Sequence, residues 1–77
     1  MDEAELRLQL GKRVKHFRRL SRLTQAQLAE KADLSVNYIS EIKNGLASPT
    51  LKTLLRLAQE LNVEIDELFK FKQFGNE

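Results

Sequence analysis

The stretch TQAQLAEKADLSVNYISEI, residues 24–42, holds two short helical patterns with almost nothing between them. Thr24 reads as an N-cap whose hydroxyl can accept a free amide at the start of a helix over Gln25–Ala32, with Leu28, Ala29 and Ala32 turned inward. Asp33 suits the left-handed conformation of a tight turn, Leu34 plugs the corner, and Ser35 supplies a second N-cap. A third helix runs from Val36 to about Lys43 and is stopped by Asn44-Gly45, the two residue types that best accept a positive φ. Two such short helices cannot bury much against each other. They need flanking helices as a brace, and the unit is useful where one helix must protrude from a compact body.

The flanks supply that brace. Leu6, Leu10, Val14, Phe17 and Leu20 step by four and three along a first helix that ends near Ser21 to Leu23. Ser48-Pro49 has the pattern of an N-cap followed by proline at the first helical position, which predicts a fourth helix from Pro49 to about Leu61. Its inward residues are Leu51, Leu54, Leu57, Ala58 and Leu61, and a last short helix is expected from Ile65 to Phe71. No strand is expected. The fold class is all-α, a bundle of five short helices.

The 77 residues suffice for one small domain, with a core spanning about residues 10–69 and short extensions at either end. With 42% hydrophobic and 31% charged residues, the composition is that of a soluble globular chain. The absence of cysteine rules out disulfides and thiolate metal sites and suits a reducing cytoplasm. No apolar run exceeds three residues, and the opening MDEAE is unlike a signal peptide. No membrane association is expected.

Charge is unevenly spread. Arg7, Lys12, Arg13, Lys15, Arg18, Arg19 and Arg22 make seven cations with no acid among them, while the remainder holds six cations and eleven acids, so the net +2 divides into +7 and −5. Such a segment favours an anionic partner, although a solvated helix face would show the same pattern.

Helical spacing of about 100° per residue shows which face of the third helix protrudes. Ile39 and Ile42 define its buried side, so Asn37, Ser40, Glu41 and Asn44 point away, with Val36, Tyr38 and Lys43 on the flanks. These groups suit base edges. Asparagine can bond adenine through two hydrogen bonds, serine can donate or accept, and valine can touch a thymine methyl.

On these residues the chain resembles the Cro/cI family of phage-repressor-like helix-turn-helix domains. The likeness covers residues 10–69 and is carried by Thr24-Gln25, Leu28-Ala29, Leu34-Ser35, Ile39, Ile42, Asn44-Gly45, Ser48-Pro49-Thr50, Leu54, Leu57-Ala58 and Ile65-Asp66-Glu67-Leu68-Phe69. The resemblance implies that Val36, Asn37 and Ser40 read bases in the major groove. It implies that Gln25 bonds a phosphate and buttresses the start of the recognition helix, that Ser35, Tyr38, Lys43 and Asn44 touch sugar or phosphate, and that Arg18 faces the DNA backbone. Contacts of the second kind position the protein, and only the first kind carries sequence information.

The chain departs from the family pattern at four places. Arg22 and Asp33 stand where glycine is usual, and each is expected to take left-handed geometry at some cost. Lys43 replaces a commonly acidic partner of the Arg18 position, which leaves both cations for phosphates. Glu64 lacks the usual capping side chain of the last helix.

Plainer roles exist for several of these residues: Gln25 is a good helix residue after a cap, and Tyr38 can pack its ring along the flank. His16 has no second histidine or cysteine with which to share a metal, and no partner base. Neither catalysis, metal nor cofactor is expected. The expectation is a sequence-specific binder of double-stranded DNA, a transcriptional regulator of the repressor kind acting as a homodimer on a palindromic operator. A restriction-modification controller is one possibility within that class. The alternative class is a protein-interaction module, such as an antitoxin of the same fold with a protein partner.

Phe69 is assigned to the core. Phe71 and Phe74, with Ile65 and Leu68 at the edge, are left to form the dimer interface.

Overall fold

In the computed structural model, which describes residues 1–71, the chain runs through α1 (Glu3–Leu20), α2 (Gln25–Ala32), α3 (Val36–Lys43), α4 (Leu51–Leu61) and a closing 3-10 turn, Ile65–Phe69. No strand forms among the described residues. Each α-helix starts on a side-chain cap. Asp2 Oδ1 accepts from the Glu5 amide at 2.9 Å, Thr24 Oγ1 from Gln27 at 3.0 Å, Ser35 Oγ from Tyr38 at 3.0 Å and Thr50 Oγ1 from Thr53 at 3.2 Å. At α2 the cap is reciprocal, because Gln27 Oε1 accepts from the Thr24 amide at 2.8 Å.

Each α-helix also ends on a left-handed residue: Arg22 (φ 59°), Asp33 (φ 58°), Gly45 (φ 74°) and Asn62 (φ 60°). At all four the backbone makes the same pair of bonds. At α2, for example, the Asp33 amide donates to Glu30 O at 3.2 Å and the Leu34 amide to Ala29 O at 2.8 Å, which satisfies carbonyls the helix leaves free.

The core is Leu10, Val14, Leu28, Ala29, Ala32, Ile39, Ile42, Leu54, Leu57, Ala58, Leu61 and Leu68. It forms where α1 packs on α3, α4 and the 3-10 turn while α2 packs on α3 and α4. The two short helices are therefore braced from both sides. Leu6 and Leu20, at the ends of the α1 stripe, are exposed.

Three expectations need correction. The cap of α4 is Thr50 rather than Ser48, and Pro49 precedes the helix; the Ser48 hydroxyl donates instead to Glu3 Oε2 at 3.0 Å. Leu51 then becomes the first helical residue and, expected inward, is 78% exposed. At the C-terminus the expected helix to Phe71 stops at Phe69 and winds as a 3-10 turn, with no side-chain cap at Glu64.

That winding also exchanges the roles of Leu68 and Phe69. Three residues per turn place Ile65 and Leu68 on one face and Asp66 and Phe69 on another. Leu68, expected at the edge of an interface, is 0% exposed at the heart of the core, and Phe69, expected in the core, is 40% exposed. Ile65 packs partly against the core, and the Phe71 ring lies 6.2 Å from that of Phe69. Phe74 lies outside the described residues.

Arg13 ties the turn to α1. Its Nε donates to Glu67 O at 3.0 Å, its fork reaches Glu67 Oε1 at 3.4 Å, and its guanidinium stacks 4.7 Å over the Phe17 ring. Lys70 Nζ donates to Glu67 Oε2 at 3.0 Å, and that bond, with the negative charges of Glu67 and Asp66, holds the Lys70 ammonium above the ordinary lysine range.

Candidate nucleic-acid interface

The outward face of α3 follows from the two isoleucines. Ile39 and Ile42 are buried, and Val36, Asn37 and Asn44 are exposed on the other side, with Tyr38, Ser40, Glu41 and Lys43 half-buried between. Asn37 and Ser40 are separated by three residues and lie on one face. The structure thus presents Val36, Asn37 and Ser40 together on the side of α3 that the core does not use.

The N-termini of α2 and α3 each leave backbone amides free. Ser35 Oγ takes the Tyr38 amide and Thr24 Oγ1 the Gln27 amide, which leaves the first-turn amides of Val36 and Asn37 on α3, and of Gln25 and Ala26 on α2, without intrahelical acceptors. Such amides, with the positive end of the helix dipole, attract anions. Gln25 is half-buried as the first residue of α2.

The basic segment of α1 divides into two sets. Arg7, Arg13 and Arg18 turn inward and bond Gly45 O, Glu67 and Leu23 O, respectively. Lys12, Lys15, His16 and Arg19 line a shallow depression with Leu20 on the solvent side. Arg18 NH1 donates to Leu23 O at 2.7 Å, so part of this guanidinium holds the α1–α2 turn and the rest stays available to an anion. Among the described residues no ion pair involves Arg18 or Lys43. His16 sets its ring edge against Phe17, 5.0 Å between centroids.

Gly11 was not singled out from sequence, yet it is buried where α1 crosses the end of α3. A glycine kept in the middle of a helix, at a cost of about 1 kcal/mol relative to alanine, was the available signal.

Residues 14–68 match the helix-turn-helix family. The chain is 39% identical over 59 residues to the immunity repressor protein of Bacillus phage phi105, a match that spans 77% of this chain and 41% of that protein. It is 34% identical over 68 residues to the control protein C.SmaI of Serratia marcescens, across 88% of this chain and 81% of that one. The crystal structure of the restriction-modification controller protein C.AhdI from Aeromonas hydrophila superposes with a TM-score of 0.80 at 30% identity, covering 82% of this chain and 96% of that one. The chain therefore belongs to the Cro/cI-like helix-turn-helix family, a family of DNA-binding transcription regulators rather than enzymes.

Proposed function

We propose that this chain binds double-stranded DNA with sequence specificity, as a homodimer on a palindromic operator, and represses transcription there. The observation that carries this reading is the set of exposed Val36 and Asn37 with half-buried Ser40 on a helix whose opposite side is locked into the core by Ile39 and Ile42. Short polar groups on a rigid helix suit base edges in the major groove. Gln25, Ser35, Tyr38, Lys43 and Asn44, with the free part of Arg18, are assigned to sugar and phosphate. One copy places too few side chains on bases to discriminate a genomic site, and a twofold pair on two half-sites is the usual solution.

The second copy is assigned to the exposed Phe69 with the half-buried Phe71 and Ile65. Leu51 and Leu55, exposed one turn apart on α4, form the competing surface.

A narrower reading, a controller of a restriction-modification system, is favoured by the likeness to C.SmaI and C.AhdI over most of their lengths. Binding-site selection from random duplexes tests the proposal. A palindromic consensus is the expected result, its genomic positions separate a restriction-modification locus from other targets, and recovery of no consensus would defeat the reading.

A further inference from the structure

The end of α3 is held differently from the other three helix ends. After the left-handed residues of α1, α2 and α4 come Leu23, Leu34 and Val63, and all three pack against the core. An apolar contact of this kind commonly accompanies such an ending. After Gly45 comes Leu46, which is 74% exposed. The backbone bonds are present, Gly45 N to Ile42 O at 3.1 Å and Leu46 N to Glu41 O at 2.8 Å, but Leu46 supplies no apolar anchor, and the apolar contacts there are Leu8 of α1 against Gly45 and Ala47 against the core.

A polar strap from α1 joins these contacts. Arg7 Nε donates to Gly45 O at 3.0 Å, and Arg7 NH1 pairs with Glu3 Oε2 at 3.0 Å. The same Glu3 oxygen accepts from Ser48 Oγ at 3.0 Å. The loop is gripped at residues 45 and 48 by two side chains one helical turn apart. One turn further along α1, on the face of Arg7, Gly11 is buried against the carbonyls of Ile42 and Lys43. Glu3, Arg7 and Gly11 all precede the residues 14–68 that match the family.

We propose that Arg7, acting with Glu3 and Ser48, is a positioning residue for base reading: it holds the C-terminal end of α3 and thereby the angle at which Asn37 and Ser40 meet the groove. This rests on the DNA-reading function proposed above. With 8 residues, α3 is about 12 Å long, so a shift of about 1 Å at one end tilts it by about 5°. Hydrogen bonds to base edges tolerate only a few tenths of an ångström, whereas long flexible cations follow a phosphate that moves. Loss of the strap therefore costs specific binding more than non-specific binding.

The test compares the wild-type chain, Arg7→Ala and Arg7→Lys on the selected duplex and on a scrambled duplex of equal length, in one salt. Arg7→Ala is expected to weaken the selected duplex about tenfold, comparable with impairing one base contact, and the scrambled duplex by about twofold or less. Arg7→Lys, which keeps a donor for one of the two acceptors, restores part of the difference. Equal loss on both duplexes, as a phosphate contact would give, overturns the proposal, and so does no loss at all. Should Arg7→Ala fail to fold, the pair Glu3→Gln with Ser48→Ala decides by the same ratio, and an unchanged ratio overturns it. Failure of the DNA-reading function itself would appear in the wild type as no preference between the duplexes. Amide exchange at Leu46 then tests the strap alone: faster exchange in Arg7→Ala supports it and unchanged exchange overturns it.

Discussion

Gly11 and Lys43 approach so closely that no β-carbon fits between them: a Cβ on Gly11 would stand 2.5 Å from the Lys43 carbonyl oxygen. The obstacle is backbone at the last turn of α3, so it cannot swing aside as a flexible side chain would.

Gly11→Ala must therefore push α1 away from α3. Overpacking of this kind costs about 1–3 kcal/mol, only partly offset by the better helix propensity of alanine, about 1 kcal/mol. A fall in the thermal midpoint of about 4–8 °C per net kcal/mol is expected for a domain of this size, read by circular dichroism. A raised midpoint would mean that the two helices separate freely.

Arg22 and Asp33 occupy the left-handed region at φ 59° and 58°. Such a position costs about 1–2 kcal/mol for most L-residues, less for aspartate, whereas glycine accepts it at the expense of unfolded-state entropy. Arg22→Gly should raise stability by roughly 0.5–1 kcal/mol and Asp33→Gly by less. Urea midpoints check the order, and an Arg22→Gly variant less stable than the parent would show that the arginine makes a compensating contact.

The division of labour on DNA is separable. Asn37→Ala or Ser40→Ala should relax preference at one operator position, at a cost on the order of 1–3 kcal/mol on the consensus. Lys43→Ala should weaken all duplexes alike. Arg18→Ala should do the same and lower stability as well, because Leu23 O loses its 2.7 Å donor. Competition binding against single-base variants distinguishes these patterns, and uniform loss for Asn37→Ala counts against the groove assignment.

Salt reports the phosphate contacts. If a dimer neutralises roughly 6 to 10 phosphates, affinity should fall by about three to five powers of ten between 50 and 200 mM salt. A flat titration would point to the protein-interaction alternative.

Dimerisation is tested on two surfaces. Phe69→Asp with Phe71→Asp should give a folded monomer with weakened operator binding, while Leu55→Asp should remain dimeric. The reverse outcome by sedimentation would move the interface to α4.

The helix-turn-helix itself was legible because its signals are local. Thr24 and Ser35 cap the amides three residues on, at Gln27 and Tyr38, and Asp33 and Gly45 take the left-handed positions that end α2 and α3. Caps and turns act within a few residues, so residue types in order suffice to specify them. The family likeness has the same source, since most of the positions that carry it belong to caps, turns and buried faces.

Where neighbouring signals compete, only the folded chain decides. Ser48-Pro49 and Thr50 both offer a start for α4, and the Ser48 hydroxyl is drawn away by Glu3, a residue 45 positions earlier in the chain. Leu68 and Phe69 both look apolar enough for the core, and the 3-10 winding places Leu68 inside and Phe69 outside. Sequence by itself determined α2 and α3, their caps at Thr24 and Ser35 and the outward face of α3, because each depends on bonds and periodicity within one segment. Tertiary structure decided which arginines turn inward, why position 11 is glycine and how the end of α3 is strapped. The long-range cases depend on backbone carbonyls brought to α1 from distant segments, as Gly45 O meets Arg7 and Glu67 O meets Arg13. A carbonyl is common to every residue type, so its place in such a contact leaves no mark in the order of amino acids.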